Sequence, residues 1–116
     1  MPDKRTALII DDDEEISGFL LEALRLEGFE VCRCDNGMSA LALLREQCFH
    51  VIVTDYHMPG MNGADITQSL RLQCPGSFIV GMSAEHKEKD FLEAGADAFL
   101  KKPFSLKKLV AMVNDR

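Results

Sequence analysis

No apolar run in this chain approaches the roughly 20 residues that a bilayer-spanning helix requires, so no membrane role is expected. The opening Met1-Pro2-Asp3-Lys4-Arg5 carries no apolar segment before the first candidate strand. That predicts no signal peptide and leaves the cytoplasm as the expected compartment. Positive charge is in deficit, with 13 Lys and Arg against 19 Asp and Glu and a net charge of -6. Nucleic-acid binding rests largely on neutralising phosphates, so this domain is not expected to grip nucleic acid directly. Paired C-x-x-C spacing is missing as well. Cys32, Cys34, Cys48 and Cys74 therefore do not make a structural zinc site, and without a sign of secretion all four are expected as reduced thiols, the first two sharing one face of a strand. Linkers, internal repeats and low-complexity stretches are absent too, and 116 residues fit one domain, 1–116.

What the chain does contain is an alternation of short apolar runs and amphipathic stretches. Apolar content of 47% and charged content of 28% are those of an ordinary globular domain, and the length supports a hydrophobic core without staples. Thr6 to Ile10 and Phe49 to Thr54 are almost wholly apolar, as suits central strands covered on both faces. Phe29 to Cys34, Ser77 to Met82 and Ala96 to Lys101 supply three more strands. Between them, Ile16, Phe19, Leu20, Ala23 and Leu24 recur at helical spacing over Glu14 to Glu27, with Asp13 as the cap and Gly28 as the stop. A second helix runs from about Met38 to Gln47, and a third begins at Asn62-Gly63 and ends near Cys74-Pro75-Gly76. A polar fourth helix follows Ser83-Ala84-Glu85 to about Ala94, and a fifth is capped by Ser105. Five strands alternating with five helices predict an α/β fold: a doubly wound parallel sheet of order 2-1-3-4-5, flavodoxin-like, with right-handed crossovers.

That order makes strands one and three neighbours, and ligands bind where their carboxyl ends open a crevice. Val51-Ile52-Val53-Thr54 runs directly into Asp55, and Pro59-Gly60 then turns the chain away. The first strand ends at Asp11-Asp12-Asp13, of which Asp13 and the two glutamates that follow are explained by helix capping while Asp11 and Asp12 are not. Two carboxylates about 4 Å apart repel by roughly 4 kcal/mol at an effective dielectric of 20, so three together call for a cation. An oxygen-only, partly open cluster suits Mg²⁺, which keeps several waters and takes one or two carboxylates and a phosphate oxygen. Ser83 at the end of the fourth strand adds a hydroxyl, and Lys102 at the end of the fifth adds an ammonium. Separately these are a turn residue and a surface lysine. Together with three acids they are what a transferring phosphoryl group requires.

With these residues in place, the sequence resembles the receiver domain of bacterial two-component response regulators, nearest in size to the single-domain chemotaxis type. The resemblance rests on Ile10-Asp11-Asp12, Thr54-Asp55 with Met58-Pro59-Gly60 and Asn62-Gly63, Met82-Ser83-Ala84, and Lys102-Pro103-Phe104. It spans essentially the whole chain. It implies Asp55 as phosphoacceptor from a sensor histidine kinase or phosphotransfer protein. It also implies Mg²⁺ held by Asp12 and Asp55, with Asp11 and the backbone carbonyl of His57 assisting. Lys102 would pair with the phosphoryl oxygens, Ser83 would move to hydrogen-bond them, and Phe99 occupies the switch-aromatic position. Phe99 lacks the hydroxyl of many relatives and also suits a plain core residue. His57 and Glu85 fall where the family tunes the access of water to the acyl phosphate. The Lys102-Pro103 bond resembles one that is often cis. A downstream protein or effector domain would receive the signal, and the fourth helix, fifth strand and fifth helix form the face used for homodimers in the family. Such a domain is not an enzyme beyond its own phosphorylation and slow dephosphorylation.

Three rivals share the architecture. An aspartyl-nucleophile phosphatase resembles a pattern with a second acid two residues after the nucleophile, where this chain has His57. A flavin-binding module would want a hydroxyl and glycine loop after the first strand, where Asp11-Asp12-Asp13 would repel phosphate. A receiver-like interaction domain working without phosphorylation would have no need of Asp12, Asp55, Ser83 and Lys102 together.

Overall fold

The computed structural model describes residues 5–114, so the segment from which the lack of a leader was read lies mostly outside the described residues. The elements alternate along the chain as β1 (Thr6–Ile10), α1 (Glu14–Leu26), β2 (Glu30–Cys34), α2 (Gly37–Leu44), β3 (Val51–Asp55), α3 (Gly63–Gln73), β4 (Phe78–Ser83), α4 (Glu88–Ala94), β5 (Ala98–Lys101) and α5 (Leu106–Asn114). All four strand pairings are parallel, in the order β2-β1-β3-β4-β5, which is the flavodoxin-like arrangement the alternation predicts.

Period-two alternation divides the apolar side chains of the central strands between two cores. Ala7, Ile9, Val53, Val80 and Met82 pack on one face with Leu20 and Leu24 of α1 and Leu109 and Val113 of α5. Leu8, Ile10, Ile52 and Ile79 pack on the other with Ala40 and Leu44 of α2, Ile66 and Leu70 of α3 and Phe91 of α4. With both faces covered, β1 and β3 need almost continuous apolar sequence, and four of five residues in β1 and all five in β3 are buried.

Two helices differ from the sequence reading. α2 stops at Leu44 because the chain tightens there, Arg45 and Glu46 donating to the carbonyls of Ala42 and Leu43 three residues back at 3.2 and 3.0 Å. α4 starts at Glu88 because Glu85 is drawn into the preceding loop, its N–H donating to Ser83 Oγ at 3.0 Å and its carboxylate turning to His57.

The cysteines require a correction. Cys32 and Cys34 are free, but Cys48 and Cys74 form a disulfide with their Cα atoms 5.7 Å apart. β3 and β4 are hydrogen-bonded neighbours, so the segments that precede them, one holding Cys48 and the other Cys74, converge on the same edge of the sheet. A sequence separation of 26 hides this, because the pairing is made by strand order and not by local spacing.

Candidate functional site

The crevice at the carboxyl ends of β1 and β3 is built by local sequence. Asp11 follows the last residue of β1, and Asp55 is the last residue of β3, in register with Met82 of β4. Asp13 caps α1, accepting from the N–H groups of Glu15 and Ile16 at 3.0 and 3.1 Å, so it is occupied and Asp11 and Asp12 are left to the crevice. One carboxylate oxygen from each of Asp11, Asp12 and Asp55 lies within 4.8 Å of the others. Asp11 and Asp55 are buried and Asp12 is exposed.

Lys102 reaches this cluster from the end of β5. Its Nζ lies 2.7 Å from Asp55 Oδ1 and 3.7 Å from Asp11 Oδ2. Only 20% of the lysine side chain is exposed, which makes it a partner of the acids and not a solvated surface charge. The second oxygen of Asp55, Oδ2, accepts the backbone N–H of His57 at 3.2 Å. Asp11 Oδ1 accepts the N–H of Asp13 at 2.9 Å, whereas Asp11 Oδ2 is buried with no hydrogen-bond partner. Burial pushes the Asp11 carboxyl above its ordinary pKa, opposed by the Asp13 N–H and assisted by the negative charge of Asp55.

A buried carboxylate oxygen without a donor is costly unless a cation supplies the missing partner. The oxygen donor set, the three-acid cluster and this orphaned atom fit a hard divalent ion, and the cluster is able to hold one.

A glycine brings the start of α3 against the end of β3. Gly63, the first residue of α3, donates its N–H to the carbonyl of Tyr56 at 2.8 Å. A Cβ there would lie 2.2 Å from the carbonyl oxygen of Asp55 and 2.8 Å from Phe91 Cζ. A side chain at this position would push the start of α3 away from the strand end.

Ser83 is buried at the end of β4, where its Oγ accepts the N–H of Glu85 and its carbonyl accepts the N–H of Lys102 at 2.9 Å. Phe99 is half-buried on β5, its ring centroid 5.8 Å from that of Phe91. The His57 and Glu85 side chains meet at 2.5 Å above the crevice, both mostly exposed, and this contact holds the Glu85 carboxyl below its usual range. The Lys102-Pro103 peptide is cis. Lys101 is exposed, and at the opposite edge of the sheet His50 Nδ1 accepts the N–H of Thr6 at 3.0 Å.

Sequence reasoning missed a feature beside the site. Helical periodicity assigned Phe19 to the core, yet it is 62% exposed. It rims an apolar cleft of about 510 Å³ with Ile16, Leu20, Ala84, Pro103, Phe104 and Leu106, and the stem of Lys102 forms part of the wall. A phenylalanine at core spacing gives no signal of this, because the cleft exists only once α1 and α5 flank the β5–α5 loop.

The family model described as "Response regulator receiver domain" matches residues 7–114. This chain belongs to that family. Receiver domains are signalling rather than catalytic units of two-component response regulators, phosphorylated on an aspartate. The DNA-binding response regulator MtrA of Mycolicibacterium paratuberculosis is 37% identical over 116 residues, covering 97% of this chain and 51% of that protein. The receiver thus spans about half the length of the curated relatives it matches. Among solved structures, the chemotaxis response regulator CheY4 of Vibrio cholerae aligns with a TM-score of 0.90 and 27% identity over 97% of this chain and 98% of that one. A response regulator protein from Burkholderia pseudomallei, with a phosphorylated aspartic acid, calcium ion and citrate, aligns with a TM-score of 0.87 and 26% identity over 94% of this receiver and 66% of that chain.

Proposed function

We propose that Asp55 is the phosphoacceptor of this receiver, working with Mg²⁺ held by Asp11, Asp12, Asp55 and the backbone carbonyl of His57. The observation that carries this reading is the 2.7 Å contact between Lys102 Nζ and Asp55 Oδ1 inside a three-acid cluster. An oxygen of Asp55 attacks the phosphorus of a phosphohistidine, the P–N bond breaks, the imidazole leaves with a proton, and an acyl phosphate forms. The backbone N–H of His57 and the ammonium of Lys102 fix the orientation of the carboxylate. Lys102 then offsets charge on the phosphoryl oxygens. Bound magnesium would supply further neutralisation of those oxygens.

Phosphorylation adds roughly 1.5 to 2 negative charges. In this reading Ser83 exchanges its bond to the Glu85 N–H for one to the phosphoryl group, loosening the β4–α4 loop, and Phe99 moves further in against Phe91. The surface of α4, β5 and α5 carries the change to a downstream protein or effector domain and is the homodimer face. The cognate donor, a sensor histidine kinase or phosphotransfer protein, docks on the apolar cleft rimmed by Phe19 and Leu106, where exposed apolar surface borders the phosphoacceptor. The domain works in the cytoplasm. Nucleic-acid contact is left to other parts of a full-length protein, since the net charge of -6 opposes it.

The test is uptake of phosphate from acetyl phosphate. Labelling requires Mg²⁺, is abolished by EDTA and by Asp55→Asn, and approaches one phosphate per chain. Undiminished labelling of Asp55→Asn contradicts the reading, and repeated turnover of a phosphomonoester favours the aspartyl-nucleophile phosphatase.

A further inference from the structure

The Cys48–Cys74 pair lies at the amino edge of the sheet, opposite the acidic crevice, and the receiver function makes no use of it. Its Cα separation of 5.7 Å is in the ordinary range for a disulfide. The two sulfurs are unequally placed. Cys48, in the α2–β3 connection, is exposed, while Cys74, the carboxyl cap of α3, is 1% exposed. A cleft of about 230 Å³ bounded by Phe49, His50, Pro75, Gly76 and Ser77 opens onto the pair.

The backbone around the pair is fixed without the sulfur link. Cys74 donates its N–H to the carbonyl of Leu70 at 2.8 Å, and Ser77 Oγ donates to the carbonyl of Phe49 at 2.5 Å. The N–H of Phe78 donates to the carbonyl of His50 at 2.9 Å. Arg71 donates to the carbonyls of Pro75 and Ser77 at 2.9 and 2.8 Å. Opening the bond therefore leaves both cysteines facing each other and ready to close again.

We infer that Cys48–Cys74 is a reversible thiol–disulfide exchange site, opened by a dithiol that attacks at Cys48. The attacking thiolate forms a mixed disulfide with Cys48 Sγ, and Cys74 leaves as a thiolate and takes up a proton. The second thiol of the reductant then displaces Cys48. One dithiol is oxidised to its disulfide and one protein disulfide becomes two thiols. A disulfide in a reducing compartment is usually transient and regulatory, which suits the cytoplasmic placement proposed above. Closed, the bridge ties the carboxyl end of α3 to the approach to β3, the strand that ends in Asp55. The inference stands on this geometry and is independent of the phosphoacceptor reading.

The experiment uses the full chain, air-oxidised and then equilibrated with defined ratios of reduced to oxidised dithiothreitol. Exchange is quenched with acid while the protein is folded, the quenched free thiols are then alkylated in denaturant and counted by mass spectrometry, and circular dichroism follows the fold before the quench. The expected result is two alkylated cysteines, Cys32 and Cys34, rising to four as Cys48 and Cys74 open together. The folded signal is retained, and the bridge returns in oxidised dithiothreitol. In the single variants, oxidised glutathione modifies Cys48 of Cys74→Ser faster than Cys74 of Cys48→Ser. Free Cys48 and Cys74 after oxidation, a bridge that opens only when the protein unfolds, or a faster reaction at Cys74 would each overturn the inference. Acetyl phosphate labelling, read separately, reports on the phosphoacceptor alone.

Discussion

Replacing Lys102 by methionine keeps the length of the side chain and removes its charge, and the geometry sets the cost. At an effective dielectric of 20, the contacts of 2.7 Å to Asp55 and 3.7 Å to Asp11 correspond to attractions of about 6 and 4.5 kcal/mol. Most of this is offset by the desolvation of an ammonium only 20% exposed, so the net loss expected from breaking such a partly buried pair is about 2–4 kcal/mol. With an m-value of about 1.5 kcal/mol per molar urea, the unfolding midpoint falls by roughly 1–3 M in the presence of EDTA. The metal-free variant leaves three carboxylates facing one another, two of them buried, without the ammonium that contacts Asp55 and Asp11. A divalent ion binds the folded state of this variant and offsets the repulsion, so excess Mg²⁺ restores more stability to Lys102→Met than it adds to the unsubstituted protein. Urea unfolding followed by circular dichroism, with EDTA and with Mg²⁺, gives all four midpoints. An unchanged midpoint in EDTA, or equal responses of the two proteins to Mg²⁺, would refute the electrostatic reasoning.

The Asp11 carboxyl titrates above its ordinary value because it is buried. Its contribution is therefore fully present below the unfolded-state pKa of about 4 and is lost as pH rises through the folded value. In EDTA, the stability of the unsubstituted protein relative to Asp11→Asn should decline over that window, and a flat difference between the urea midpoints would argue against it. Arg71→Met removes donors from the carbonyls of Gly95, Pro75 and Ser77 and a 2.6 Å ion pair with Asp97. It should cost about 2–4 kcal/mol by urea unfolding, because these groups lose their partners together. Gly63→Ala drives a methyl group into the carbonyl of Asp55. It should lower stability by about 1–3 kcal/mol and slow acetyl phosphate labelling, whereas a normal labelling rate would mean the strand end yields without cost.

The fold was legible because the two central apolar runs each give way to aspartate, a residue depleted in strands. Ile10 gives way to Asp11, and Thr54 to Asp55, so strand ends and candidate ligands announce themselves together. The acids and the lysine could be assembled from strand order alone, since parallel strands bring all their carboxyl ends to one edge. Features set by side-chain geometry across elements were not legible. The start of α4 depends on Glu85 leaving the helix for His57, and the depth of Lys102 depends on the path of its stem. The exposure of Phe19 depends on the cleft left beside α5, and the Cys48–Cys74 bond on the convergence of two loops. No periodicity encodes any of these.

The carboxylate that carries the phosphoryl group can be identified directly. After treatment with acetyl phosphate and Mg²⁺, borohydride reduction converts an acyl phosphate to a stable alcohol that peptide mass spectrometry can locate. The reduced residue is expected at position 55 and nowhere else. Reduction at Asp11 or Asp12, or no reduced aspartate in protein that has taken up phosphate, would contradict it.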